Sequence, residues 1–144
     1  MKKIIIINGP NLNLLGSRED DIYGKDTLDK IKSDCEKKCV EKKIEIVFFQ
    51  SNNEGEIIDK IHEVNDKYDG MIINPAAFTH SSIAILDSLR AISKPKIEVH
   101  LSNIYAREEY RKKSITSEGV DGLICGFGGN SYLLGIEAIS KLIY

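Results

Sequence analysis

A doubly wound α/β fold, a parallel sheet with helices on both faces, is what this 144-residue chain predicts. Two observations carry that expectation. Short apolar runs alternate with longer amphipathic ones along the sequence, and strand–helix alternation gives parallel strands joined by right-handed crossovers. The first run, Ile4-Ile5-Ile6-Ile7, has no polar face, as a strand buried on both sides requires.

Taken in order, the strand candidates are Ile4–Asn8, Ile44–Gln50, Gly70–Asn74, Lys96–His100 and Gly122–Gly126. The first helical pattern, Thr27–Lys43, has Asp26 or Thr27 to cap it and sets Leu28, Ile31, Cys35 and Cys39 on one stripe. Glu54–Lys67 aligns Ile57, Ile61 and Val64. Ser81–Ala91 holds Ile85 and Leu89 four apart and ends before Pro95, and Ser131–Tyr144 closes the chain. Five strands at this length suggest a flavodoxin-like order 2-1-3-4-5. No repeat, linker or low-complexity stretch interrupts the pattern, so residues 1–144 read as one domain.

Composition narrows the function. A formal net charge of −2 lacks the basic excess of a nucleic-acid or anionic-membrane surface. No apolar run approaches the roughly 20 residues of a membrane span. The start, Met1-Lys2-Lys3, is followed by only four isoleucines before Asn8, short of a secretory apolar region of about 7–15 residues. A cytoplasmic location is expected. Three cysteines without a Cys-x-x-Cys give no disulfide framework or zinc site. Cys35 and Cys39, four apart on a helix, read as reduced core residues.

Ligands of open parallel sheets bind beyond the carboxyl ends of the strands. Here those ends carry Asn8-Gly9-Pro10-Asn11, Gln50-Ser51-Asn52, Asn74-Pro75-Ala76, His100-Leu101-Ser102-Asn103 and Gly126-Phe127-Gly128-Gly129-Asn130, polar residues expected to converge on one rim. The first loop, running on through Leu12-Asn13-Leu14-Leu15-Gly16, is too rich in asparagine and glycine for a plain connector. Gly9 and Gly16 free the backbone, and Pro10 stiffens it.

His100 and Glu98 are two apart on one strand and share a face. A carboxylate partner fixes the tautomer and favours an imidazolium, so His100 could act as a general acid. The alternative is a structural histidine beside a solvated glutamate. His80, just before a helix start, stands on the rim or is a bystander to a cap at Thr79 or Ser81. His62 reads as a solvated helix residue. Arg18, Glu19, Tyr23 and Gly24 lie between Gly16 and the first helix, in a lid or in an acidic loop. The cluster Arg107-Glu108-Glu109-Tyr110-Arg111-Lys112-Lys113 is a solvated helix face or a source of cations for an anionic ligand. No phosphate-cradling Gly-x-x-x-x-Gly-Lys-Ser/Thr loop is present. Gly126-Phe127-Gly128-Gly129 lacks dinucleotide spacing but could admit an anion ahead of a helix.

Together, Asn8 to Gly16 with Arg18-Glu19 and Tyr23-Gly24, Gln50-Ser51-Asn52, Asn74 to His80, and Glu98 to Asn103 resemble the type II 3-dehydroquinate dehydratases over the whole chain. The resemblance implies dehydration of 3-dehydroquinate to 3-dehydroshikimate through an enolate, in the shikimate pathway or quinate breakdown, with neither cofactor, metal nor Schiff base. It implies that Tyr23 is the base at C2 and that Arg18 keeps it ionised. His100 is then the acid, with Glu98 behind it, and Asn11 holds a water near the enolate oxygen. Asn74, His80, Arg111 and the backbone of Leu101 and Ser102 bind substrate, and Asp87 reaches a neighbouring subunit. A dodecamer built from trimers is implied too. A tyrosine brought from about 10 to about 7 needs roughly 4 kcal/mol of preferential phenolate stabilisation, more than one exposed arginine supplies, so the lid must exclude water. Asp20 stands where the family often has proline, which bears on lid dynamics. The second hypothesis is a flavodoxin-like nucleotide- or FMN-binding module without catalysis. It accounts for the fold and the polar rim, but not for Tyr23, Arg18 and the Glu98–His100 pair together.

Overall fold

The computed structural model describes residues 1–16 and 26–144. Arg18, Glu19, Asp20, Tyr23 and Gly24, the predicted lid, lie outside the described residues.

Five parallel strands form one sheet in the order β2-β1-β3-β4-β5. They are β1 Lys2–Asn8, β2 Ile44–Gln50, β3 Gly70–Asn74, β4 Lys96–His100 and β5 Gly122–Cys125. The helices are α1 Leu28–Lys42, α2 Glu54–His62, α3 Val64–Lys67, α4 Ile83–Arg90, α5 Glu109–Lys112 and α6 Asn130–Ile143. The predicted flavodoxin-like α/β class and strand order are both found.

The isoleucine run of β1 explains the two-sided core. Ile4 and Ile6 face α1 and α6, packing with Ile31, Cys35, Tyr132 and Ile136. Ile5 and Ile7 face the other way, with Ile57, Ile61, Ile85 and Leu89 of α2 and α4. In β4 the same alternation puts Ile97 and Val99 into the first cluster. Glu98 and His100 therefore point to the α4 side.

Several boundaries differ from expectation, each for a local reason. The Glu54–Lys67 helix is divided by a tightened turn at Glu63, whose amide donates to Lys60 O only three residues back. The helix expected from Ser81 starts at Ile83, because the Ser82 hydroxyl, and not Thr79 or Ser81, accepts the Ile85 amide as its cap. Residues Ala76–His80 form a 3-10 turn that the sequence pattern did not announce. Strand β5 stops one residue early because Gly126 has φ 99°, outside the extended region. Thr27 is the cap of α1, accepting from the Lys30 amide. No helix among the described residues is long and apolar enough to cross a membrane.

Candidate active site

At the carboxyl ends of the strands lies a cavity of about 130 Å³. Its described lining comes from the loop after β1 (Pro10, Asn11, Leu12, Leu14, Leu15), from the last residue of β3 and the turn after it (Asn74, Ala76, Ala77, His80), from the last residue of β4 and the loop after it (His100, Leu101, Ser102, Ile104), and from Arg107 and Arg111. Seven residues expected at a site are thus brought together: Asn11, Asn74, His80, His100, Leu101, Ser102 and Arg111. Asp87 is not among them. It stands exposed on α4, outside the described cavity of its own chain. His62 is solvent-exposed, as expected.

Not all five strand ends line the cavity. The ends of β2 and β5 brace it from behind. Gln50 Nε2 donates to Gly9 O at 3.1 Å and to Asn52 Oδ1 at 3.1 Å, while Asn52 Oδ1 also accepts the Asn11 amide at 2.9 Å. The β2 tail therefore sets the posture of Asn11, whose φ of 68° is left-handed. Beyond β5, the Gly128 amide donates to Leu101 O at 2.9 Å. The loop that could have admitted an anion is closed by the chain itself, since the Gly129 amide donates to the Asp26 carboxylate at 3.2 Å.

The tips of β1 and β3 are laced together. The Gly9 amide donates to Asn74 O at 2.8 Å, and a Cβ on Gly9 would stand 2.4 Å from Pro75 O. Gly9 is therefore required by close approach rather than by an unusual backbone angle. Below it, the fully buried Tyr132 hydroxyl donates to Asn8 Oδ1 at 2.6 Å and accepts from Asn74 Nδ2 at 2.9 Å. Burial pushes the Tyr132 hydroxyl well above the ordinary tyrosine range, so it stays a neutral donor. Asn74 Oδ1 accepts the Ala76 amide at 3.0 Å, which holds the turn where Ala76 takes φ 52°. Among the described residues, this leaves one N–H of Asn74 for the cavity.

His100 is 5% exposed and Glu98 not at all, and His100 Nε2 donates to Glu98 Oε2 at 2.7 Å. The glutamate is buried, not solvated. That pairing fixes the tautomer and leaves Nδ1 of His100 on the cavity side. Hydroxyls surround the carboxylate: Thr116 Oγ1 lies 2.6 Å from Oε1, and Thr79 Oγ1 and Ser114 Oγ lie 3.0 and 3.2 Å from Oε2. Sequence reasoning read Thr79 only as a possible cap and missed Ser114 and Thr116. Their one signal is a Ser-x-Thr alternation after the basic cluster, too common to single out.

His80 lines the cavity at its rim. Its Nδ1 donates to Lys113 O at 2.7 Å, which turns Nε2 to the open side. Burial holds its ring below the ordinary histidine range, against the opposing pull of that hydrogen bond. The basic cluster is not wholly a solvated face: Arg107 and Arg111 line the cavity, while Lys112 pairs with Glu109 at 3.0 Å. Glu108 steers both arginines, with its carboxylate 3.2 Å from Arg111 Nε and 3.8 Å from Arg107 Nε. The described lining thus holds two arginines and two histidines and no carboxylate, a field that favours an anion. Among the described residues, no cluster of three or more histidine, cysteine or carboxylate side chains is arranged to hold a metal.

Comparison with known proteins places the chain in a family. The family model described as dehydroquinase class II matches residues 2–140. A 3-dehydroquinate dehydratase of Clostridium botulinum (strain Hall) is 57% identical over 139 residues, 96% of this chain and 95% of that protein. One from Caldicellulosiruptor saccharolyticus is 53% identical over 144 residues, covering 99% of each. The crystal structure of a type II dehydroquinase from Butyrivibrio crossotus superposes with a TM-score of 0.94 at 46% identity, over 96% of this chain and 97% of that one. A chain matched along nearly its whole length in sequence and in structure, with its cavity at the strand ends, belongs to the class II dehydroquinase family.

Proposed function

We propose that this protein is a 3-dehydroquinate dehydratase, removing water from 3-dehydroquinate to give 3-dehydroshikimate, in the shikimate pathway or in quinate breakdown. One observation carries the reading: the buried Glu98–His100 pair at the floor of a cavity whose described lining is cationic. The substrate is a hydroxylated carboxylate, and arginine recognises such an anion by charge and paired N–H groups.

In this reading Tyr23, as phenolate, takes the proton from C2 and the electrons pass to the ketone oxygen as an enolate. Arg18 keeps Tyr23 ionised, and Asn11 holds a water against the enolate oxygen. His100 starts as the imidazolium, with Nε2–H on Glu98, and gives its Nδ1 proton to the departing hydroxyl as the C–O bond breaks. Water and the conjugated enone result, and solvent carries the proton from Tyr23 back to His100. Asn74, His80, Arg111 and the backbone of Leu101 and Ser102 hold the substrate. No cofactor, metal or Schiff base is invoked. Residues 1–144 act as one catalytic domain in the cytoplasm, assembled as a dodecamer of trimers in which Asp87 serves a neighbouring site. Support for Asp87 comes from its exposure on α4, and for assembly from exposed apolar side chains such as Ile83 at 63% and Tyr110 at 67%.

The test is the appearance of enone absorbance when 3-dehydroquinate is added to purified protein. A yellow chromophore with no enone would point instead to a flavin-binding module. Inactivation by borohydride in the presence of substrate would point to a lysine Schiff base.

A further inference from the structure

The hydroxyls around Glu98 have fewer protons than contacts. Thr79, Ser114 and Thr116 bring one proton each. They make five close contacts: three to the carboxylate, plus Thr79–Thr116 at 2.6 Å and Thr79–Ser114 at 2.9 Å. Two oxygens 2.6 Å apart need a proton between them. The two shortest contacts are Thr79–Thr116 and Thr116–Glu98 Oε1, both 2.6 Å. With Glu98 as the carboxylate, which brings no proton, only one assignment gives each of them one: Thr79 donates to Thr116, and Thr116 donates to Glu98 Oε1. Ser114 then serves Oε2 or Thr79. A chain of hydroxyls aligned in this way is mutually polarising, so its last donor is strengthened.

The consequence falls on Thr116. Among the described residues it is the recorded donor on Oε1, while Oε2 receives His100 Nε2 at 2.7 Å. A carboxylate held at one oxygen can swing about its own axis; one held at both cannot. Thr116 is wholly buried and does not line the cavity, so it acts through Glu98 and not on a ligand. The segment that carries it is strapped in place, with the Ile115 amide donating to Thr79 O at 2.7 Å and Lys113 O accepting from His80 at 2.7 Å. The cavity histidines thus rest on one short stretch, residues 113–116.

We infer that Thr116 is a positioning residue for catalysis: relayed from Thr79, its hydroxyl fixes the Glu98 carboxylate that orients His100. The inference rests on the dehydratase reading above. It is tested with Thr116→Val and Thr116→Ser, by steady-state kinetics with 3-dehydroquinate beside the wild type. Loss of a hydrogen bond to a charged group corresponds to a fall of about tenfold or more. In Thr116→Val that fall is expected in kcat, with KM within about twofold, because the group acts on the acid and not on binding. Thr116→Ser should recover kcat to within about threefold. The His100 imidazole nitrogen signals of labelled protein should move in the Val variant and return in the Ser variant. If Thr116→Val does not fold, Thr79→Val and Thr79→Ser are compared in its place, with the same split expected. A Val variant with near-normal kcat overturns the inference, as does a Ser variant as impaired as Val. A wild type that yields no enone overturns the dehydratase reading itself, which is a separate result.

Discussion

Arg18 and Tyr23 show how far single residues can be read. Both come from the resemblance of a motif, and both lie outside the described residues. Replacing Arg18 by Ala should lower kcat more than it raises KM, since a cation that stabilises phenolate acts on the reacting state rather than on binding. Steady-state kinetics check this, and an unchanged kcat contradicts the activating role. The Glu98–His100 pair was more fully legible, because period-2 geometry in a strand puts i and i+2 on one face whatever surrounds them. What surrounds them was not legible. Thr79 and Thr116 are 37 residues apart in sequence and meet at 2.6 Å through the fold alone. The Tyr132 hydroxyl likewise meets Asn8 across 124 positions. Such contacts leave no local pattern to find.

Elements were legible where their cause is local. Thr27 caps α1 through its own side chain, and the isoleucines of β1 need two covering layers. The short turn after β3 was not, since beside its local bonds it is held by residues 113–115, through the Ile115 amide to Thr79 O and His80 to Lys113 O. Gly9 marks such a join. Gly9→Ala should cost about 1–3 kcal/mol, because its Cβ would meet a backbone oxygen that cannot swing aside. A thermal melt reads this as a lowered Tm, and an unchanged Tm would mean that the two strand tips are not packed as described. Between α1 and α6, Glu137 accepts from Lys38 at 2.7 Å and Lys42 at 2.9 Å. Hydrogen bonds from Lys38 and then Lys42 hold its carboxyl down at about 2, below the ordinary glutamate value of about 4.3. A depressed folded value stabilises above the unfolded pKa and is lost as pH falls through the folded one. The Tm gap between wild type and Glu137→Gln should therefore be present at pH 7 and close between about pH 4 and pH 2. A gap independent of pH would show that the carboxylate charge plays no part.

For the whole molecule, alternation of strands and helices was enough to give a parallel sheet with right-handed crossovers, and five strands at this length suggested the order 2-1-3-4-5 that the sheet has. The cavity's location at the strand ends followed from the same topology. Assembly has no such rule behind it. The proposed dodecamer predicts about twelve times the mass of the 16.1 kDa chain by sedimentation, and a monomer at working concentration would remove the neighbouring-subunit role of Asp87. The central claim is that this chain dehydrates 3-dehydroquinate with Tyr23 as base. Its most direct test is enone absorbance after adding 3-dehydroquinate to wild type and to Tyr23→Phe, with substrate binding measured on both. Steady enone formation by the wild type, and none by a Phe variant that still binds substrate, is the predicted result. Near-normal turnover by Tyr23→Phe, or no enone from the wild type, would contradict it.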